Sequence, residues 1–315
     1  MTAWRRRLLL AGRRLQVEGK DRTALDAIAP ALGHLECDDD SGQPGVRWTV
    51  TDAGEPDRPS QAQGIYRLQR GGIAVVQHDP LSIESYDPAI GLRLAATPAA
   101  LASGDLRAHP GGYALAAWLA GPSTHVLHAA AVSFDGRAVV LVGPGGTGKS
   151  TTALACARAG ADFLGDDLCL AEAGGEDSEP QVHCLFASAK LNPDSAERLG
   201  ARDWPVLGTT PKGKIVVTLP APMAVGRSAP IVAVVILHPH GDARGGIERL
   251  RPAPAVAAVT ATGATPCSGA LNPVLWFSTM TRLLKKVPAY RVPIDWDLVR
   301  LVDRIRGIAA GGAMQ

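Results

Sequence analysis

The 315-residue chain is expected to fold as an α/β protein, a compact core of strands and helices preceded by a smaller strand-rich α+β region. Three observations predict this. The stretch Gly143-Pro144-Gly145-Gly146-Thr147-Gly148-Lys149-Ser150 stands between an apolar run at 138–142, suited to a buried strand, and a helix-forming stretch at 151–158. Residues 231–238 are almost wholly apolar and read as a strand buried on both faces, central in a sheet. Before residue 121, short alternating runs at 65–68, 72–77 and 81–86 are separated by turn residues, which predicts several strands.

Composition narrows the classes. Hydrophobic residues make up 46% and charged residues 20%, so the chain has enough apolar surface for a folded core and is not a disordered polyelectrolyte. A formal net charge of +2 argues against an extended nucleic-acid surface, and no apolar run reaches the length of a membrane span. Five dispersed cysteines form neither a paired framework nor a CxxC motif, which points to a reduced, cytoplasmic compartment. The opening Arg5-Arg6-Arg7-Leu8-Leu9-Leu10 is interrupted by Arg13 and Arg14, so it reads as a basic local strand or helix rather than a secretory signal.

In chain order, the spacing predicts a helix over 22–32, then an acidic tract at 38–40 that suits a surface turn better than a metal site. Residues 46–50 alternate as a half-buried strand, 52–63 read as loop, and 112–120 as an apolar helix closed by Gly121-Pro122-Ser123. That turn divides an accessory region, 1–120, from a core, 121–315. A strand over 126–132 carries His128, and Phe134-Asp135-Gly136-Arg137 is a hairpin signal leading into the strand before the glycine-rich loop. Further elements are a strand ending at Gly165-Asp166-Asp167, a surface hairpin at 172–181 and a strand at 182–186. A short helix at 195–199, a strand at 215–219 and a helix at 271–286 follow; a strand at 290–292 and a terminal helix at 296–308 capped by Asp295 close the chain. The structure of 252–266 is not legible. His183 and Cys184, being adjacent, cannot supply a zinc ligand set and read as sheet residues.

The loop at 143–150 matches G-x-x-x-x-G-K-[ST] in full, in the strand-to-helix setting such a loop needs. Backbone N–H groups there and at the helix N-terminus converge on phosphate oxygens, Lys149 neutralises the β and γ phosphates, and the Ser150 hydroxyl takes one site on Mg2+. Gly143, Gly145, Gly146, Thr147, Gly148, Lys149, Ser150 and Thr151 are the expected nucleotide-binding residues. Asp166 and Asp167 follow a neighbouring strand; one carboxylate there can hold Mg2+ while the other accepts a hydroxyl proton, provided Gly165 bends the chain, since adjacent side chains on an extended strand face opposite ways. His128 reads either as a group at the mouth of this site or as a core histidine bonded to a carbonyl. Lys212 and Lys214, two of only seven lysines, flank Gly213 in a loop that serves either as a cation clamp on the transferred phosphoryl or as a solubilising turn. Arg282 is a further candidate for a phosphate.

The order Leu127-His128-Ala129, then 143–150, then Gly165-Asp166-Asp167 resembles the core of the HPr kinase/phosphorylase family and its relatives, among them the peptide-modifying kinases of lasso-peptide biosynthesis. The likeness covers 125–237, with weaker support at 287–292. It implies a compact P-loop core related to phosphoenolpyruvate carboxykinase rather than a large doubly wound sheet, with ATP and Mg2+ as cofactors and a serine hydroxyl as acceptor. It further implies Ser150 and Asp166 at the metal, and Lys149, Asp167, His128, Lys212 and Lys214 as catalytic residues, with the roles of the two aspartates exchangeable. The family often forms homo-oligomers, which makes one the expectation here. The family's acceptor-binding and phosphorolysis stretch has no match between Leu185 and Lys214, and its N-terminal domain has none in the first 120 residues, so neither phosphorylase activity nor HPr as substrate is implied.

The resulting expectation is an Mg2+-dependent kinase acting on a serine of a peptide or small protein, a lasso-peptide precursor in the nearest branch. Two alternatives stand beside it: a kinase of a free amino acid or other small hydroxyl compound, and a nucleotide-gated binding module without transfer.

Overall fold

The structure, a computed structural model, describes residues 4–19, 22–38, 45–52, 54, 64–69, 73–78, 82–239, 246–264 and 272–311. Most of the acidic tract at 38–40, most of the loop expected at 52–63, and Cys267 lie outside these residues. The fold is mixed α/β. Among the described residues the strands form a seven-stranded, a nine-stranded and a three-stranded sheet, and no helix is long and apolar enough to cross a membrane.

The N-terminal sheet runs in the order Trp4–Leu10, Arg13–Gly19, Val46–Asp52, Gly91–Ala96, Ser82–Asp87, Ile73–His78, Gly64–Gln69. The basic opening is therefore the edge strand of a hairpin. The pair Arg13–Gly19 and Val46–Asp52 is parallel, and the connection it needs is the helix Arg22–Leu32, which buries Ala24, Leu25, Ala27, Ile28, Ala31 and Leu32 at helical spacing. Its core is shared with the rest of the chain: Trp48, Leu92 and Leu94 belong to one cluster with Leu168, Leu170, Leu185 and Phe186.

The nine-stranded sheet is built about Ser228–His238. The last part of that strand runs parallel to Arg137–Val142 on one side and to Ala289–Pro293 on the other, while its first residues pair antiparallel with Gln181–Cys184. Val139 and Leu141 face the helices Lys149–Arg158 and Leu298–Ala309, whereas Ala138, Val140 and Val142 face Pro252–Gly263 and Pro273–Lys286. Both faces are covered, which is why these strands are apolar throughout rather than alternating. The third sheet, Ser188–Leu191, Ile215–Thr218 and Val206–Thr209, lies against the short helix Gly104–Ala108.

Several expected elements are corrected. The strand expected over 126–132 is two strands in different parts of the sheet, Thr124–Leu127 and Ala130–Phe134, with His128 in the break between them. Its backbone N–H is satisfied by Gly263 O (2.9 Å) instead of by a ladder. The helix expected over 271–286 begins at Pro273, where the missing N–H costs nothing at the first turn. The terminal helix is capped by Asp297, whose carboxylate accepts from Val299 and Arg300 N–H, and Asp295 instead accepts from Asp297 N–H. The illegible stretch at 252–266 contains the helix Pro252–Gly263.

Candidate functional site

Arg137–Val142 delivers the chain to the glycine-rich loop after a hairpin turn in which Asp135 and Gly136 both have positive φ, the geometry of a two-residue turn. Gly143 comes next because there is no room for more: a Cβ there would lie 2.6 Å from Leu237 O and 2.8 Å from Thr147 Oγ1. Gly148, at φ 81°, precedes the helix Lys149–Arg158 in the left-handed region and turns the chain into it. Thr147 Oγ1 donates to Pro144 O (2.8 Å), and Thr152 Oγ1 donates to Gly148 O (2.9 Å). The buried Lys149 reaches back over the loop and donates to Gly143 O (2.8 Å) and Pro144 O (3.2 Å). Burial lowers its pKa; Asp166 and Asp167 oppose that, and Lys214 reinforces it.

Asp162–Gly165 lies two places from Arg137–Val142 in the sheet, with Ala130–Phe134 between them. Gly165 (φ 132°) and Asp167 (φ 66°) reverse the chain, and Leu168 N–H closes the turn on Asp166 O (2.7 Å). The bend separates the two carboxylates. Asp166 is buried, accepts from Lys190 N–H through Oδ2 (3.0 Å), and leaves a buried Oδ1 without a hydrogen-bond partner. Burial and then the neighbouring Asp167 raise its pKa to about 6, against the Lys190 N–H, the Ser150 hydroxyl and the Lys149 charge. Asp167 keeps 34% of its side chain exposed and is surrounded by donors: His128 Nε2 lies 2.9 Å from Oδ1, and Lys190 Nζ 3.3 Å from Oδ2. His109 Nδ1 is 3.9 Å from the same Oδ2. Burial would raise the Asp167 pKa; the hydrogen bond from His128 and the Lys190 charge outweigh it and hold the carboxyl below its usual range. His109, itself pushed down to about 4 by burial and by Lys190, is neutral near pH 7 but charged in the acid range where Asp167 titrates, and there it helps to lower that carboxyl.

The structure thus brings Lys149, Ser150, Asp166, Asp167 and His128 to one place. It sets Lys214 near enough for its charge to act on Lys149, while Lys212 is exposed at the tip of the turn that Thr210 closes with Lys214. Thr151 Oγ1 bonds Ser195 Oγ (3.0 Å) on the flank of the helix, and Arg282 is held by Pro122 O in the turn before the core. His183 makes a cross-strand contact with Glu172 (3.2 Å).

Two residues at the centre were not legible as site residues. Lys190 projects from the strand Ser188–Leu191, and His109 caps the helix Gly104–Ala108, its ring 5.2 Å from that of Phe186. The sequence carried one usable signal for the first, a scarce lysine between the apolar Ala189 and Leu191, and none for the second.

Ser150 and Asp166 suit a small hard cation: both offer oxygen, and Asp166 Oδ1 is buried with no other partner. Among the described residues no group of three or more His, Cys, Asp or Glu is arranged to hold a metal, so a cation here would draw its remaining ligands from water and phosphate oxygens, as Mg2+ commonly does.

No protein-family profile matches the chain, and no curated protein does. Among solved structures, the Hpr(Ser) kinase/phosphatase from Coxiella burnetii aligns over 59% of this chain and 97% of its own, at 13% identity and a TM-score of 0.33. It is a distant, low-identity match, and at that TM-score it says nothing of this chain's chemistry.

Proposed function

We propose that the protein is an ATP- and Mg2+-dependent kinase that transfers the γ-phosphoryl group to a serine hydroxyl of a peptide or small protein. The observation that carries this reading is the division of labour in the aspartate pair. Asp166 is buried beside Ser150 with a free oxygen, and Asp167 is about one-third exposed beside His128, within the same bend next to the glycine-rich loop. A nucleotide-gated module needs the first of these and has no use for the second.

In this reading the loop backbone and Lys149 hold the phosphates, and Ser150 and Asp166 would hold Mg2+, which would supply positive charge against that of the phosphates. Asp167 accepts the hydrogen of the acceptor hydroxyl and aims its oxygen at phosphorus. The new P–O bond forms as the bond to the β–γ bridging oxygen breaks, ADP leaves with that oxygen, and the proton goes to Asp167 or through it to solvent. A carboxylate of low pKa is a weak base, but phosphoryl transfer needs position more than proton affinity. His128 fixes the Asp167 oxygen it bonds, and Lys214, on its turn beside Lys149, follows the charge of the moving group. Residues 121–315 form the kinase core in this proposal, and 1–120 its accessory region.

The test is intact-mass analysis of serine-bearing precursor peptides, lasso-peptide precursors among them, after incubation with protein, ATP and Mg2+. One added phosphate is expected with wild type and none with Lys149→Ala. Asp167→Asn should keep nucleotide binding and lose about 100-fold or more in transfer. Equal transfer by wild type and Asp167→Asn removes Asp167 from the acceptor side.

A further inference from the structure

We infer that Lys190 is a positioning residue for both aspartates, and that Asp105 of the N-terminal region holds it in place, so the accessory region is a working part of the site. This rests on the kinase reading above. Lys190 meets the aspartate pair at both of its ends: its backbone N–H donates to Asp166 Oδ2 (3.0 Å), and its ammonium lies 3.3 Å from Asp167 Oδ2. The other Asp167 oxygen is taken by His128 (2.9 Å), so the carboxylate is gripped from two sides and its rotation about χ2 is stopped.

An ammonium on a four-carbon stem is a poor fixed point unless something else restrains it. Asp105 Oδ1, 3.0 Å from Lys190 Nζ, is that restraint. The lysine side chain is 15% exposed and bridges two carboxylates, both of which favour its charged form.

Asp105 in turn sits on Gly104–Ala108, a helix pinned independently of the salt bridge. Gly104 packs so closely on Thr209 that a Cβ would come within 2.7 Å of its backbone. Arg107 donates to Leu101 O (2.8 Å) and Leu207 O (2.9 Å), and Ala108 O accepts from Ser188 Oγ (2.7 Å) on the strand that carries Lys190. The helix therefore registers the Lys190 strand and the strand entering the Lys214 turn against one another. An ion pair that served only to glue the regions together would have no reason to end on Asp167.

The experiment measures steady-state turnover of Mg2+-ATP by the full chain, with water as the acceptor, together with separately measured ATP affinity and thermal melting. Lys190→Met is expected to lower kcat by about 10- to 100-fold, with KM for ATP and nucleotide affinity within about twofold of wild type. Lys190→Arg should recover part of that loss, and Asp105→Asn should lower kcat severalfold with KM again unchanged. Wild-type kcat in Lys190→Met, or a loss that falls on KM alone, overturns the inference while leaving the kinase reading intact. Should Lys190→Met fail to fold, Asp105→Asn decides the matter by the same split. A wild-type chain that neither binds nor turns over ATP overturns the kinase reading, and this inference with it.

Discussion

Asp166 and Asp167 are neighbours in sequence and opposites in environment. The bend at Gly165 sends Asp166 into the protein, where burial and the adjacent carboxylate raise its pKa to about 6, and leaves Asp167 among donors that lower its own. For Asp166 the folded value lies above the unfolded 3.8, so the native state binds the proton more tightly. The charged form is a burden on the fold that is fully present above about pH 6 and absent below about 4. Asp166→Asn should therefore stabilise the protein at pH 7–8 by roughly 1–2 kcal/mol while weakening Mg2+-dependent ATP binding, since the amide keeps shape and loses charge. Thermal melts at pH 7.5 and pH 4 check this; a variant less stable than wild type at pH 7.5 shows that the carboxylate is held by partners beyond those named. The carboxylates and the glycine-rich loop were legible in the sequence because each is a local pattern. Lys190 and His109 were not, because they reach the same bend from 24 residues after and 57 before Asp166, distances that no spacing rule covers.

Short elements set the geometry of this site. Gly104–Ala108 is only five residues long, yet Gly104→Ala would press a methyl group against the Thr209 backbone, where no side chain can yield. A loss of about 1–3 kcal/mol is expected in urea unfolding, with a fall in turnover because Asp105 and His109 move with the helix. By contrast, Asp297→Ala removes a cap from the terminal helix, one whose hydrogen bonds go to Val299 and Arg300 rather than to the aspartate bend, and should cost about 0.5–2 kcal/mol with kcat unchanged. A matching fall in kcat there would mean that turnover tracks global stability rather than the site. Elements with a clear period were readable in advance: Arg22–Leu32 buries an i, i+3, i+4 face, and a helix is expected there from that spacing. Pro252–Gly263 was not, because it buries only Ala255, Val259 and Gly263 and its remaining Ala, Val and Thr residues give no contrasting polar face. The break at His128 was hidden for a related reason. Both flanking strands are wholly buried, and an apolar run records burial without recording which sheet position each half occupies.

Across the whole molecule, buried histidines bring a pH dependence that outlasts any change at the aspartates. Burial lowers His34, His109 and His125 to about 4 each, with Arg227, Lys190 and Arg282 respectively adding to the effect, and lowers His183 as well despite Glu172. Each is neutral in the folded chain over a range where the unfolded chain, near 6.5, takes up a proton. The unfolded state thus binds more protons between about pH 4 and 6.5, so stability rises with pH across that window and is lost as pH falls through it. Asp166 opposes this, since its raised pKa makes stability fall between about 4 and 6, but it is one group against several. Asp167, with its lowered pKa, stabilises the fold above its unfolded value and adds to the loss only in stronger acid. The net expectation is a urea midpoint that climbs from pH 4.5 to 6.5 and levels above 7. His125 isolates one contributor, because it is buried, its Nε2 has no hydrogen-bond partner and it lies outside the aspartate cluster. His125→Asn should flatten the climb by at most about 1.4 kcal/mol per pH unit, one proton's worth, while leaving the Mg2+-ATP affinity alone. A midpoint already flat in the wild type would mean that these rings find proton-accepting partners on protonation, and that the interior around them opens to water before the chain unfolds.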